Sequence, residues 1–312
     1  MRRITGFSCL TAALLALAGC EVTAPRLSLI PAERPTNLTP QPPSPRSAQL
    51  AAYYAGLERD LLVRGLLRTD GGGPEVAFDA EDLAENFEQI AFYAEYNGAG
   101  ASAGPGTSGV LTRWEKPVRV NAVYGPSVTP EERDIDAAVV EAYTARLSRL
   151  TNHPVAMSTE RRSNFTVIFA SLDDAAFVGQ QVRAAIPQIS SENLQFFMNP
   201  PRSYYCMVLA ASDPANPATY NRAVALIRAE HPDLVRKSCV HEEIAQGLGL
   251  SNDSPRARPS IFNDDDEFAL LTSHDEKLLT MLYDPRLAPG MSAEQARPVT
   301  RIIARELMGQ NL

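Results

Sequence analysis

Long apolar runs are scarce in these 312 residues. The N-terminal one, Leu10 to Ala18, falls short of the roughly 20 residues that cross a bilayer, so it does not predict a spanning helix. Cysteine is sparse at 4, histidine occurs 4 times and tryptophan once. There is no Cys-x-x-Cys, which excludes that metal and redox motif, and no Gly-x-Ser-x-Gly, which removes the nucleophile elbow of serine hydrolases. Gly71-Gly72-Gly73 lacks a following Gly-Lys-Ser/Thr and a preceding strand, so it is not a phosphate loop. Positive charge is short as well. With 29 Lys+Arg against 37 Asp+Glu the chain carries -8, which argues against nucleic acid or an anionic membrane surface as a partner. No internal repeat of solenoid length is visible.

What is present begins with Arg2 and Arg3, the apolar run, and Leu17-Ala18-Gly19-Cys20. Basic residues, a short apolar stretch and small residues before a cleavage point make a secretory leader. This one resembles a bacterial lipoprotein signal. The resemblance implies removal of residues 1–19, acylation of Cys20 as a membrane anchor, and, with Glu21 following, an outer-membrane lipoprotein facing the periplasm. An ordinary secretory leader with an incidental cysteine is the alternative. Loss of Arg2 and Arg3 moves the net charge from -8 to -10. Cys9 leaves with the leader and Cys20 takes lipid, so Cys206 and Cys239 are left in an oxidising compartment and are expected to form a disulfide.

Residues 20–46 hold prolines at positions 25, 31, 35, 40, 42, 43 and 45 and read as an extended tether. Residues 47–109 form a helical N-terminal region ending in a Gly-rich loop. A helix is predicted from Ser47 to Arg68, with Leu50, Tyr54, Leu57 and Leu61 on one stripe, and a second from Ala80 to Tyr96 through Leu83, Phe87, Ile90 and Ala91. From Val110 strands and helices alternate. "LTRWEKPVRVNAVYG" reads as a strand with Val118, Val120 and Ala122 on one face. Thr129, Pro130 and Glu132 then form a capping box that opens a helix with Ile135, Val139, Tyr143 and Leu147 on one face. "PVAMST", "NFTVIFAS" and "SYYCMVLAAS" are further strands. Helices are predicted over Leu172–Ile186, over Pro217–Glu230, and after Pro232. Ser273 with Glu276 and Ser292 with Gln295 mark two later helix starts, with Pro298 opening or kinking the last helix, which packs through Ile302, Ile303 and Leu307.

The chemically suggestive stretch is "CVHEEIAQGLGLSND", residues 239 to 253. His241-Glu242 begins the His-Glu-x-x-His zinc-peptidase pattern, but Ala245 stands where the second histidine is needed. On a helix, Cys239, Glu242 and Gln246 share one side while Ile244 and Leu248 take another, with Gly249 as the stop. Shifted by one residue, the stretch is similar to the metzincin motif at Glu242, Glu243, Gln246, Gly249 and Asn252, with Asp253 adjacent. "SIFND" then stands where that clan has its methionine turn, with Phe262 in place of methionine. Through this stretch, "PSIFNDDDEFALLTSHDE" and "LLTMLYDPRLAPGMS", the chain resembles a lipoprotein family catalogued as domain of unknown function 2927. That family in turn resembles zinc peptidases of the matrixin kind.

The resemblance implies an α+β fold over residues 110–312: a zincin-like mixed, twisted sheet of four or five strands with packed helices and a mostly helical C-terminal subdomain. It also implies a metal at Glu242, Gln246 and Asp253, with His274 as a further candidate, and Glu243 as the general base. Catalytic zinc takes three good nitrogen or oxygen donors and one water. A neutral Gln246 amide is a poor donor, and a Glu/Gln/Asp set suits calcium or magnesium better. Set against a site is a satisfied polar cluster, with Gln246 donating to Glu242 and Asp253 capping amides, and an exposed His274 at a helix start. The acidic run Asn263–Glu267 reads as solvated or, alternatively, as a calcium loop without EF-hand spacing. The expected function is a non-catalytic binding or scaffold lipoprotein without a cofactor, on a peptidase-like fold that lacks the zinc histidines. Its expected partners are the membrane, through the lipid, and an envelope protein or peptide. The alternative is a metallohydrolase acting on peptides.

Overall fold

A computed structural model describes residues 42–93 and 109–310. The leader, Cys20, most of the tether and nearly all of the Gly-rich loop lie outside the described residues. Eight helices and a six-stranded sheet are found among those described. No described helix is long and apolar enough to cross a membrane.

Helix α1 runs Pro45–Val63, starting two residues earlier and ending five residues sooner than its stripe predicts. Tyr54 and Leu61 are buried while Val63 is almost fully exposed; with Gly65 in the next apolar position, nothing rewards a further turn. Helix α2, Ala80–Phe92, is opened by an Asp79–Asp82 capping box and buries Leu83, Phe87, Ile90 and Ala91 as predicted. Strands β1 (Arg113–Trp114) and β2 (Val118–Tyr124) lead into α3, Pro130–Thr151, capped by Thr129 and Glu132. Its buried face contains Tyr143 and Leu147 but turns through Asp136 and Val140, leaving Ile135 half exposed.

Strands β3 (Val155–Met157) and β4 (Phe165–Ala170) precede α4 (Ala175–Ala185), entered through a 3-10 turn, and α5 (Ser191–Met198). Strand β5, Cys206–Asp213, is followed by β6, Asn216–Arg228. The predicted helix over Pro217–Glu230 is therefore wrong. Its alanines suggest helix, but Ala223 to Arg228 are buried in succession. A strand covered on both faces has such a run, and its apolar residues lose the period of two.

The sheet order is β1-β6-β4-β2-β3, all parallel, with β5 added antiparallel to β6. Alternation divides the core. Phe165, Val167, Ala223, Ala225 and Ile227 face one cluster with α2, α3 and the later helices, whereas Ile168, Val224 and Leu226 face α4 and α5. The sheet is thus mixed and covered on both sides.

After β6 the chain is helical: α6 (Asp233–Leu248), α7 (Ser273–Leu282) and α8 (Ala293–Leu307). The α7 capping box is Thr272 with Asp275, one residue before the predicted pair, because the Thr272 hydroxyl accepts from the Asp275 amide at 3.2 Å. Pro298 sits inside a single helix α8. Ile303 is buried as predicted, but Ile302 points to solvent. Cys206 and Cys239 form the expected disulfide, tying the start of β5 to the middle of α6.

Candidate functional site

Helix α6 is held by contacts to its own end. Gly249 adopts φ 132 and stops the helix where a Cβ would stand 2.5 Å from the Thr112 carbonyl oxygen. The last carbonyls, which have no partner within the helix, are met from outside: the Trp114 indole donates to Gly247 O at 2.8 Å and the Tyr283 hydroxyl to Leu248 O at 3.1 Å. Gly247 lets the helix approach the sheet, since a Cβ there would lie 2.5 Å from the Phe165 ring. These contacts fix the helix's rotation, and the rotation decides which side chains reach solvent.

Residues 100° apart around a helix diverge quickly. His241 falls on the stripe of Ile244, Ala245 and Leu248, and its imidazole enters the core. There it stacks on Tyr143 with centroids 4.1 Å apart, and its Nδ1 accepts from the Leu271 amide at 3.1 Å. Burial holds its pKa down at about 3. Glu242 and Gln246 are partly exposed on the opposite side, while Glu243, almost fully buried, also reaches the cleft.

That cleft, of about 450 Å³, lies against β5. Among the described residues β5 is paired only with β6. Successive residues Cys206, Met207, Val208, Leu209 and Ala210 all line the cleft, although they alternate between the two faces of the sheet. The cavity therefore runs along the open edge of the strand. Helix α5 bounds it through Phe196 and Phe197, and α6 through Ser238, Glu242, Glu243 and Gln246.

Asp253 lines the same cleft, so Glu242, Glu243, Gln246 and Asp253 are brought together around it. A carboxylate oxygen from Glu242 and another from Glu243 come within 4.8 Å of each other and of the Cys206 sulfur. That sulfur is committed to the disulfide and is no thiolate ligand. His274 is not brought in. It is fully buried rather than exposed, because α7 starts one residue earlier than the Ser273 cap predicts and its second position turns inward. Its Nε2 lies 3.3 Å from the Asn86 amide nitrogen and its ring sits edge-on to Phe78 at 4.8 Å. Asn252 donates to the carbonyls of Gln89 and Asp253, at 3.1 and 3.0 Å, and so serves the loop's path. Phe262 is fully buried, its carbonyl accepting from the Ser254 amide.

The loop after Phe262 is more than a solvated charge run. Asn263, Asp264 and Asp266 line the cleft, while Glu267 turns away to Arg258 and Arg68. Asp266 takes a left-handed φ of 56, and its carbonyl accepts from the Leu67 amide at 2.8 Å. Burial first, then Asp265 and Asp264, raises its pKa. Tyr205 also lines the cleft; burial, with Asp266 next in effect, pushes its phenol up to about 12. The aromatic pairs Phe196-Phe197 and Tyr204-Tyr205 were not nominated from the sequence. Their only sequence signal was adjacency, two rings in a row beside an edge strand.

Chemically, the cleft offers carboxylates, the amides of Asn193, Gln246 and Asn263, and aromatic rings, beside a strand edge unpaired among the described residues. The zinc that the peptidase resemblance implies does not fit this set. Gln246 gives a weak neutral donor, neither neighbouring imidazole reaches the cleft, and no hydrolytic step is derived through a metal. No curated protein and no solved structure matches the chain. The matched segment, residues 80–302, spans α2 to most of α8 and so includes β5, α6 and the acidic loop: the chain belongs to the family described as protein of unknown function DUF2927.

Proposed function

We propose that this chain is a non-catalytic binding protein of the bacterial envelope, anchored through Cys20, that holds an extended peptide segment of another envelope protein along β5. The observation that carries the reading is an open strand edge forming the wall of a cleft. Such an edge presents unpaired N–H and C=O groups, and adding a strand satisfies them while side pockets read the incoming residues. Strand β5, at eight residues, offers a pairing length of about 27 Å. The zincin-like reading of the fold belongs to the same proposal. It is supported by the mixed sheet, by the Glu242-Glu243 helix that follows β6, and by the helical remainder. On that frame the cleft face of α6 carries Glu242 and Gln246 where a peptidase needs imidazoles.

Two measurements test this. Elemental analysis of protein purified without chelator should find far less than one zinc per chain; stoichiometric zinc overturns the non-catalytic reading. Hydrogen exchange in the presence of the neutral peptide acetyl-(Ala-Gln)3-Ala-amide should slow the amides of residues 206–213. Unchanged exchange at millimolar peptide removes the strand-addition reading.

A second reading, a metal-dependent hydrolase with Glu243 as base, draws on the nearness of the Glu242 and Glu243 carboxylates. Two carboxylates with Asp253 nearby suit a hard cation such as calcium or magnesium. Thermal stabilisation by millimolar calcium that vanishes in Glu242→Gln would favour this reading over the first.

A further inference from the structure

The strand-edge reading leaves open what kind of segment the cleft takes. The sign of its walls decides. Glu242 and Glu243 come from α6, Asp253 from the loop after it, and Asp264 and Asp266 from the loop before α7, so acid faces the cavity from three separate stretches of chain. Among the described residues that line it there is no lysine, arginine or histidine. Residues 94–108, which join the cleft-lining Tyr93 and Gly109, contain no lysine, arginine or histidine either. Arginines outside the lining have partners of their own: Arg68 pairs with Asp70, Glu75 and Glu267, Arg258 with Glu267, Arg228 donates to the carbonyls of Tyr204, Pro200 and Pro201, and Arg64 pairs with Asp60 while also acting on Asp266. Like-signed walls in a partly enclosed cavity focus the field and concentrate the opposite charge.

The remaining walls point the same way. Tyr93, Phe196, Tyr204, Tyr205 and Tyr220 line the cavity, as does Phe268, whose ring already carries the Arg68 guanidinium 4.8 Å from its centroid. Aromatic faces attract ammonium and guanidinium groups through the ring quadrupole, and they cover the methylene stems that carry those groups. An acidic or phosphorylated ligand would meet five carboxylates and no cationic side chain among the described lining residues. A purely apolar ligand would leave those carboxylates desolvated without compensation.

We infer that the cleft selects a cationic extended peptide, one whose lysine or arginine side chains alternate along β5 and meet Glu242, Asp264 and Asp266 from above the strand edge. This rests on the strand-addition reading, and a set of three probes separates the two. The fluorescein-labelled peptides (Ala-Lys)3-Ala, (Ala-Gln)3-Ala and (Ala-Glu)3-Ala share length and backbone and differ only in charge. Anisotropy titrations at low salt should place the lysine peptide at least about tenfold tighter than the glutamine peptide, the yield of two or three partly exposed ion pairs. That preference should shrink at 500 mM salt, about a 4 Å screening length.

The triple variant Glu242→Gln/Asp264→Asn/Asp266→Asn should keep glutamine-peptide binding and lose the lysine preference. Asparagine tolerates the left-handed backbone at position 266, so an unchanged melting temperature is expected. A control with three exposed carboxylates removed elsewhere, Glu131→Gln/Glu141→Gln/Glu294→Gln, should retain the preference, which separates the cleft's charge from the net charge. Equal affinity for the lysine and glutamine peptides overturns the cationic selection while leaving strand addition intact. No binding of any peptide overturns both, and loss of the preference in the control variant overturns the assignment to this cleft.

Discussion

Taking the protein from pH 8 to pH 5 tests the two imidazoles that the core keeps neutral. His231 is almost fully buried, edge-on to Tyr54, with its Nε2 2.7 Å from the Tyr205 carbonyl oxygen. His241 accepts from the Leu271 amide through Nδ1, a bond that protonation would break. Burial brings both from 6.5 to about 3. A depressed histidine pKa means the unfolded chain binds the extra proton first. Stability is therefore complete above pH 6.5 and is lost as the pH falls toward 3. At pH 5 each imidazole removes about 2 kcal/mol relative to pH 8.

Asp136 acts in the opposite direction. Its carboxyl, buried beside Arg236, is raised from 3.8 to about 6, chiefly by burial. Its native protonation restores about 1 to 2 kcal/mol at pH 5. Glu267 and Asp284, held low by Arg258 and Arg286, enter mainly below about pH 4.5 and lie outside the window. His153, lowered by burial, and Asp266, raised by burial, act in this window in opposite directions, and the net expectation is a loss of about 2 to 3 kcal/mol between pH 8 and pH 5. Urea unfolding followed through the one tryptophan, buried Trp114, reads it. His231→Gln and His241→Gln should each shrink the pH-dependent loss by about 2 kcal/mol whatever they do to stability at pH 8, and Asp136→Asn should enlarge it by about 1 to 2 kcal/mol. A wild-type protein as stable at pH 5 as at pH 8, or histidine variants with an unchanged difference, would refute the assignment of neutral buried imidazoles.

Three further changes probe the frame of the cleft. Replacing Cys206 and Cys239 together by serine should cost about 2 to 4 kcal/mol, because the bond closes a separation of 33 residues, and reductant should reproduce the loss in the wild type. Gly249→Ala should destabilise by about 1 to 3 kcal/mol, since it combines an unfavourable φ with a clash against the Thr112 carbonyl; its thermal midpoint should fall by several degrees. Asp275→Ala should cost about 3 kcal/mol or more in chemical unfolding. It strips the acceptor shared by the Ser260 hydroxyl, the Ile261 amide and the Thr272 amide, all buried.

Legibility in the sequence followed the strength of local signals. Capping boxes at Thr129 and Ser292 and the glycine stop at 249 located helix ends correctly, because a cap is a contact among residues three or four apart. The one gross error, β6 taken for a helix, arose where the sequence carried no period at all. Its burial on both faces comes from tertiary partners, α4 and α5 on one face and α6 with the other later helices on the opposite one. The Thr272 cap was missed by one residue for a related reason. Asp275 is chosen over Glu276 by its bonds to Ser260 and Ile261, contacts that a reading of adjacent residues cannot weigh.

The site shows the same division at finer scale. Helix periodicity alone placed Cys239, Glu242 and Gln246 together, and they do face one side. The same arithmetic puts His241 with Ile244 and Leu248. An imidazole at that position can be tolerated only as a neutral core residue, and the stacked Tyr143 and the Leu271 amide supply the conditions for it. What periodicity could not supply was the far wall. The acidic loop and the aromatic pairs reach the cleft because α1's exit segment holds the loop through Leu67 and Arg68, and because the disulfide holds β5 against α6. The character of the cleft, carboxylate and ring without imidazole, is therefore a tertiary property. Segments distant in sequence, the α6 face, the acidic loop and the residues at the start of β5, become one carboxylate-lined surface only once assembled around the strand edge.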